Sequence, residues 1–475
     1  MDWRDVLALT VGGVIGADVY VASAFTGDLG PAFLLLWVGG ALLALAIALA
    51  FCRCVLLVPK NGGPYLYARL AFGPGVGFLV GWATLLAQWS SLAVLPTVFS
   101  HYLATLFPAL AHPIGTALAN TFFLAVVTVQ NYRGTGTTRR INDLLTAGKV
   151  IPLGVLILAG GAYLLAHPGT AVANLGPWHL PPLAAVGTGL IPVFWAYAGF
   201  ELGTIPAEQV KDPQRSIPLA LIVGTLICAG IYLALNTVVL ATTPASVLAH
   251  SQAPLSAGAR TIAAAWQPSL AQAAGLLVAA GAVLSTLGTA GAAAFATAHL
   301  VAAMAATGLL PAPLARPHPR FGTPYLAILT LTGTGLAASL ATDLRSLLGA
   351  AVFFLSLTYL STSLAAIRLS SEPPHRHVIP ALAALGSLFL LAHVGRQPLL
   401  AGLLLEGAGA IVYLVRRPRA PLVSAWAGHF HHTLGPHVLG DTATIYSARF
   451  LPSLLRLLLP SRGTQSDQSQ PCSGQ

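Results

Sequence analysis

The sequence predicts an all-α polytopic membrane protein, and two observations carry this prediction. Of the 475 residues, 56% are hydrophobic and only 8% are charged, whereas about a quarter of the residues in soluble domains are charged. A soluble fold of this length could not solvate its surface with so few charges, so lipid must cover most of it. The second observation is a series of apolar stretches of about 20 residues, the length that crosses a bilayer core.

Twelve such spans are predicted from the positions of the apolar stretches. They cover 6–25, 32–56, 75–103, 113–130, 141–166 and 183–206, and then 217–241, 273–307, 325–340, 347–368, 378–394 and 398–415. The spans and their loops are predicted to form one transmembrane domain over 1–417. The remaining 418–475 are predicted to be a cytoplasmic tail with an amphipathic helix over 448–460, where two arginines alternate with leucines.

Positive charge alternates between the two sets of loops, which predicts the orientation of the chain in the membrane. One set, with the segment after the last span, carries Arg53, Lys60, Arg69, Arg133, Arg139, Arg140, Lys211, Arg215, Arg316, Arg320, Arg368, Arg376, Arg416, Arg417 and Arg419. The opposite loops carry only Arg260, Arg345 and Arg396. By the positive-inside rule, both termini are predicted to be cytoplasmic and the chain to be a multi-pass inner-membrane protein. The net charge of +10 is scattered and forms no basic block, so no nucleic-acid partner is expected.

Cysteine and histidine positions predict neither disulfides nor a metal site. Cys52, Cys54, Cys228 and Cys472 show no framework spacing. The tail histidines at 429, 431, 432 and 437 lack a cysteine or carboxylate to complete a ligand set. No cofactor is therefore expected.

The first predicted span is interrupted by small residues and a carboxylate. It reads LTVGGVIGADVYVASAF, with Gly12, Gly13 and Gly16 near its middle and Asp18 directly after them. Each glycine weakens a helix by close to 1 kcal/mol. Close packing through small residues would explain the glycines, but a carboxylate at this depth must face a cavity or a partner.

The sixth predicted span repeats this design. It reads LIPVFWAYAGFELGTIP, in which Ala198-Gly199 interrupts the apolar run and Glu201 follows. Paired interruptions at corresponding positions of two halves indicate the binding site of an inverted-repeat transporter. Unwound turns free backbone N–H groups for an anion and carbonyls for an ammonium group.

A lysine, Lys149, lies inside the fifth predicted span. A buried lysine tends either to lose its proton or to find a carboxylate. The alternative is that its side chain extends to the membrane surface. We favour a functional role, because ionisable residues are rarely tolerated inside a membrane.

Four motifs in this order resemble the amino acid–polyamine–organocation superfamily of permeases, across 4–417. The first span carries G-G-V-I-G-A-D-V-Y where the family has G-x-x-I-G-x-G-I-F, and the loop Pro59–Gly73 matches P-x-x-G-G-x-Y-x-Y-x-x-x-x-F-G. Residues 194–218 are similar to the family's F-A-x-x-G-F-E…A-E-E-x-K-N-P-x-R-x-I-P stretch. GLLPAPLARPHPRFGTP, after the eighth span, is similar to its G-x-L-P…H-P-R…T-P pattern.

The resemblance implies a LeuT-like fold of twelve transmembrane helices. Its first ten would form two inverted repeats of five, at about 6–166 and 183–368, with two peripheral helices over 378–415. It further implies secondary active transport of an amino acid by alternating access, proton-coupled or by exchange, rather than enzymatic activity.

The resemblance also assigns roles to residues that match the family's motifs. The segment that holds a substrate carboxylate with its amides corresponds to Ile15, Gly16 and Ala17. The aromatic covering the substrate corresponds to Trp195, and the unwound segment that receives the amine to Ala196, Tyr197, Ala198 and Gly199. Lys149 corresponds to the lysine that takes the place of a sodium ion in sodium-independent members, and Glu201 to a carboxylate implicated in proton sensing. Both are predicted to take part in coupling.

Asp18 departs from the pattern, because the family has glycine at this position. It either pairs with Lys149, or is protonated when substrate binds, or binds an ammonium group. The last alternative would favour amines, polyamines or cationic amino acids. Residues 88–91 of the third span are further candidates for the pocket, and His299 is interpreted as a packing residue.

Two other classes of membrane protein remain as distant alternatives. An enzyme would need a nucleophile–base pair or a His/Asp metal set, and the sequence offers neither. A channel would need a filter or charge rings in repeated subunits.

Overall fold

The computed structural model describes residues 2–25, 29, 31–60, 62–134, 139–175, 181–204, 207–306 and 308–416, without the side chains of 24, 139–147 and 209. Every regular element in these ranges is a helix, which confirms the all-α class. The predicted tail at 418–475, including the helix at 448–460, lies outside the described residues.

The α-helices are numbered here in chain order. They are α1 Trp3–Val14, α2 Asp18–Val21, α3 Ala32–Leu57, α4 Gly63–Phe72, α5 Pro74–Leu106, α6 Pro113–Tyr132, α7 Arg139–Ala166, α8 Pro168–Leu175, α9 Leu183–Tyr197, α10 Pro213–Thr242, α11 Ala245–Ala249, α12 Pro254–Trp266, α13 Ala271–Ala306, α14 Tyr325–Ala341, α15 Leu344–Arg368, α16 Val378–His393 and α17 Arg396–Val415. A 3-10 helix over Phe200–Thr204 follows α9.

Within the described residues, nine helical stretches are long and apolar enough to cross a membrane. They lie in α3, α5, α6, α7, α10, α13, α15, α16 and α17. The remaining predicted spans correspond to the pair α1 and α2 and to the shorter apolar helices α9 and α14. The polytopic class is therefore confirmed, while the count of twelve and the repeat of five helices stay predictions. In these three predicted spans, no single helix is long enough to cross a membrane. In the first and the sixth span, the reason is a break that interrupts the helix.

Both breaks occur where the glycines and carboxylates predict them. The helix α1 ends at Val14, the chain bends through Ile15–Ala17, and α2 begins at Asp18. The helix α9 ends at Tyr197, after which Gly199 has a φ of +111°. This left-handed conformation favours glycine, which has no Cβ.

The segment predicted as a loop at Pro59–Gly73 is mostly helical, so that prediction is wrong. The helix α4 begins at Gly63, directly after Gly62 with a φ of +122°, and Gly73 with a φ of +96° ends it. Pro64 in the first turn is compatible with a helix start, where the missing N–H is not needed. Glycines at both ends therefore delimit a short helix instead of forming one tight turn.

The broken segments are surrounded by other helices. The helix α1 packs against α10 and the 3-10 helix, α5 packs against α13 and α15, and α7 packs against α13. The last helices are more peripheral, with α16 against α15, α3 and α9, and α17 against α15 and α5. Cys52, Cys54 and Cys228 are buried free thiols.

Candidate functional site

A cavity of about 450 Å³ lies where the two breaks meet, a size typical of small-ligand pockets. Its walls come from α1, α2, α5, α7, α9, α13 and α15 together with the 3-10 helix. Of the predicted site residues, it is lined by Gly16, Ala17, Asp18, Lys149, Trp195, Ala198, Gly199 and Glu201. The structure thus brings together residues that are up to 185 positions apart, from Gly16 to Glu201.

The two breaks touch through their backbones. A Cβ added to Gly13 would lie 2.9 Å from the carbonyl oxygen of Gly199, and one added to Gly199 would lie 2.5 Å from the carbonyl oxygen of Gly13. Real Cβ atoms do not approach that closely, so both positions need glycine here. This contact holds the interrupted segments of α1 and α9 side by side at one wall of the cavity.

Asp18 is buried at the start of α2, with 5% of its surface exposed. Its Oδ1 accepts a hydrogen bond of 2.9 Å from the backbone N–H of Gly16, two residues earlier. The Tyr232 hydroxyl lies 3.5 Å from Oδ2 but donates at 2.8 Å to the carbonyl of Val14. The carboxylate therefore accepts a hydrogen bond from an amide that the first break sets free.

An ion pair between Asp18 and Lys149, one of the three alternatives for Asp18, is not formed. In the described part of the chain, ion pairs within 4 Å join Glu372 to Arg53 and Arg376, at 2.7 and 2.9 Å. The local amide of Gly16 takes the Asp18 carboxylate, and freed carbonyls take the lysine, so neither group needs the other as its direct partner.

Lys149 places its ammonium group at the end of α1 and does not extend to the membrane surface. Only 7% of the residue is exposed, and Nζ donates to the carbonyls of Ile15 at 2.8 Å and Gly12 at 3.0 Å. The Tyr20 hydroxyl donates at 3.0 Å to the lysine's own carbonyl. A cation is favourable at this position, because helix C-termini carry unpaired carbonyls and the negative end of the helix dipole.

Glu201 is buried and is contacted by neutral donors. Its Oε2 accepts hydrogen bonds from the Tyr359 hydroxyl at 2.7 Å and the Gly199 N–H at 2.9 Å, while Gln88 lies 3.4 Å from Oε1. The Gly199–Glu201 contact reproduces the Gly16–Asp18 contact, since in both a carboxylate accepts from the glycine amide two residues earlier. The two breaks therefore share one local hydrogen-bond pattern.

Three predicted site residues do not line the cavity. Ile15 is buried and contributes its carbonyl to Lys149. Ala196 is fully buried, and the Tyr197 hydroxyl donates to the carbonyl of Trp37 at 3.2 Å, within an aromatic cluster outside the cavity. Trp195, by contrast, lines the cavity and donates from Nε1 to Ser91 at 3.1 Å.

Residues 88–91 divide between the cavity and its surroundings. Gln88 and Ser91 line the cavity, whereas Trp89 donates to Thr334 at 2.9 Å and Ser90 is buried outside it. His299 is exposed and bonds to the carbonyl of Phe295 at 2.8 Å, so it takes no part in the site.

Sequence reasoning missed four contributors to the site. Tyr232 and Tyr359 contact the two carboxylates, Ser285 donates at 3.0 Å to the carbonyl of Gly16, and Thr289 lines the cavity with a buried hydroxyl lacking a described partner. A single tyrosine, serine or threonine in an apolar span carries no signal that separates it from a packing residue. Within the ranges described, no group of three or more His, Cys, Asp or Glu residues is arranged to hold a metal ion.

The family model described as an amino acid permease matches residues 1–397 of the chain. The chain belongs to this family. The permease is 27% identical over 415 residues to an uncharacterized transporter of Mycobacterium tuberculosis, covering 87% of this chain and 90% of that protein. It is 28% identical over 395 residues to human cationic amino acid transporter 4, covering 78% of this chain and 60% of the relative.

A third relative is named for an amine substrate instead of an amino acid. The permease is 28% identical over 246 residues to a putrescine transporter of Escherichia coli, covering 52% of this chain and 56% of that protein. The resemblance to the superfamily is thereby confirmed, and the permease is a multi-pass membrane transporter rather than an enzyme.

Proposed function

We propose that the permease is a secondary active transporter that moves an amino acid or an amine across the cytoplasmic membrane by alternating access. The observation that carries this proposal is the cavity between two broken helices, which encloses Asp18, Lys149 and Glu201. Half-helix ends at a membrane midplane bind charged substrates in transporters with inverted repeats. The relatives named for cationic amino acids and for putrescine support both substrate classes.

The cavity extends along α1 toward the amino terminus, and this indicates the side of the membrane to which it opens. Asp5, Ala8 and Leu9 line it on that side and are exposed. On the other side of the break, Tyr20 and Tyr102 are fully buried, and the Tyr102 hydroxyl donates to the carbonyl of Tyr20. With cytoplasmic termini, as positive charge predicts, this conformation would face inward with its outer side closed.

The proposal includes a LeuT-like arrangement, with twelve helices in 1–417 and a cytoplasmic tail over 418–475. Lys149 fits the role of a built-in cation, because its ammonium group is coordinated by carbonyls. Glu201 and Asp18 are buried carboxylates beside the cavity, so protons are the proposed coupling ion. Proton-independent exchange is the alternative.

Uptake by the purified full-length chain in proteoliposomes tests the transport function. We expect saturable uptake or exchange of at least one member of a panel of radiolabelled amino acids and amines, measured with and without a pH gradient. Protein-free liposomes provide the background. Failure of every member of the panel in both uptake and exchange would contradict the proposal.

The Glu201→Gln variant tests proton coupling separately. Glutamine keeps one acceptor oxygen, which can receive the hydrogen bonds of both Tyr359 and Gly199, but removes the titratable charge. We therefore expect exchange to persist, while stimulation by an inward proton gradient falls at least about tenfold, as intramembrane carboxylates form proton relays. The exposed Glu208 supplies the control variant Glu208→Gln, which should retain stimulation. Undiminished stimulation in Glu201→Gln would remove Glu201 from the coupling mechanism.

A further inference from the structure

We propose that the Asp18 carboxylate fills the position at which a substrate carboxylate would bind, so that this permease selects amines that lack a carboxylate. This inference rests on the proposed function, because it takes the cavity between the breaks as the substrate site. It narrows the substrate class and assigns Asp18 as the residue that determines it.

At each break, the amide of a glycine is already occupied by a carboxylate of the chain. N–H groups at helix breaks are suited to anions, and a glycine amide can be approached most closely because no Cβ shields it. Here the Gly16 amide donates to Asp18 and the Gly199 amide donates to Glu201, each at 2.9 Å. To bind either glycine amide, a substrate carboxylate would have to displace one of the chain's own carboxylates.

The neighbouring amides at the bends also have partners. The N–H of Ile15 donates to the carbonyl of Val11 at 2.8 Å, and that of Ala198 donates to the carbonyl of Trp195 at 3.1 Å. One further amide at each bend is thus occupied by a carbonyl of the chain itself and is not available to a substrate anion.

Lys149 is not positioned to compensate a substrate carboxylate. Its ammonium group donates to the carbonyls of Gly12 and Ile15, which are freed by the end of α1. Turning toward a bound anion would leave these two buried carbonyls without their ammonium donor, and unpaired buried polar groups are costly. The lysine therefore stabilises the break rather than an anionic ligand.

The charges that line the cavity favour a cation. Among the lining residues described, Asp5, Asp18 and Glu201 carry carboxylates, and Lys149 carries the cationic group. A substrate carboxylate would add a further negative charge to a cavity that already contains Asp18 and Glu201, and like charges repel. An ammonium group would instead balance the excess of carboxylates.

The rest of the cavity suits an apolar substrate body. Leu95, Leu202, Leu284, Leu355 and Trp195 line it, so hydrocarbon or aromatic parts of the substrate would be covered. The predicted ligand is thus an organic amine with an alkyl or aryl body, and the matching α-amino acid is excluded by its carboxylate.

Matched pairs that differ only in the α-carboxylate test this inference. Phenethylamine with phenylalanine, cadaverine with lysine, and agmatine with arginine are compared by uptake in proteoliposomes and by binding to the purified full-length chain. For at least one pair, we expect the amine to bind at least about tenfold more tightly than its amino acid.

Two substitutions separate the charge of Asp18 from its occupation of the Gly16 amide. Asp18→Gly removes both, so we expect loss of the amine preference and gain of uptake of the matching amino acid. Asp18→Asn keeps an oxygen acceptor for the amide but removes the charge, so amine binding should weaken without a gain for the amino acid. Asp343→Asn serves as the control, because Asp343 is an exposed N-cap residue of α15 outside the cavity, and should keep the amine preference.

The outcomes distinguish this inference from the proposed function. Preferential uptake of amino acids by the unmodified chain would overturn the inference while leaving the transport function in place. So would an unchanged amine preference in Asp18→Gly or, if that variant does not fold, in Asp18→Asn. Absence of any uptake, of amines and amino acids alike, would overturn both.

Discussion

Replacement of Lys149 by methionine is expected to reduce transport at least about 100-fold and to lower the melting temperature of the purified chain. Methionine fills similar space but donates no hydrogen bond, so the carbonyls of Gly12 and Ile15 lose the ammonium group that they contact at 3.0 and 2.8 Å. An unsatisfied buried group costs about 1–3 kcal/mol, and about 2.7 kcal/mol corresponds to 100-fold in rate. Initial uptake rates in proteoliposomes and thermal unfolding in detergent measure the two effects.

Lys60→Met provides the matched control for this substitution. Lys60 is exposed outside the membrane-spanning helices, so removing its charge should leave both transport and melting close to wild type. Wild-type transport by Lys149→Met would show that the end of α1 does not need a cation. Restoration of the variant by sodium ions, without an effect on the unmodified chain, would support the role that the family resemblance gives Lys149.

Substitution of Gly199 by alanine is expected to abolish transport and to destabilise the chain by about 1–3 kcal/mol or more, the usual cost of one strained backbone position. The residue has a φ of +111°, which side chains other than glycine rarely adopt, and a Cβ would lie 2.5 Å from the carbonyl oxygen of Gly13. The touching segments would have to separate. Thermal unfolding, together with uptake by any folded fraction, measures the result.

Gly12→Ala is the matched control for the effect of an added methyl group. Gly12 also lines the cavity, but a Cβ there would meet no atom within 4 Å. We expect this variant to fold and transport nearly as well as wild type, since alanine also favours the helix. Equal stability of Gly199→Ala and Gly12→Ala would contradict the close contact between the breaks.

Composition and local pattern were sufficient to predict the membrane class and the two breaks. Glycine clusters followed by Asp18 and by Glu201 conflict with a continuous apolar helix, and this conflict can be detected within a few residues of sequence. The short helix Gly63–Phe72 was not predicted, because glycines flank it on both sides. Its flanking glycines look like turn residues until the structure shows that they end a helix.

The partners of the charged residues were less predictable than their positions. Sequence suggested that Asp18 and Lys149 attract each other, because opposite charges in a membrane usually pair. The structure shows instead that backbone groups freed by the break take both charges. Which carbonyls and amides become free depends on where the helix ends to within one residue, and sequence patterns do not give helix ends that accurately.

Contacts between residues that are far apart in the chain could not be predicted from the sequence either. Tyr232 in α10 and Tyr359 in α15 reach the two carboxylates from distant parts of the chain. Tyr197, which directly precedes the second break, turns instead toward Trp37. Neighbouring positions in a sequence give no indication of the face on which a side chain lies once the helix has unwound.

The contact between Gly13 and Gly199 restricts how the transporter can change conformation. With no side chain between the two backbones, the carboxyl-terminal end of α1 cannot approach the segment at Gly199 any further. Opening and closing on the amino-terminal side would then be a pivoting of α1 about this point.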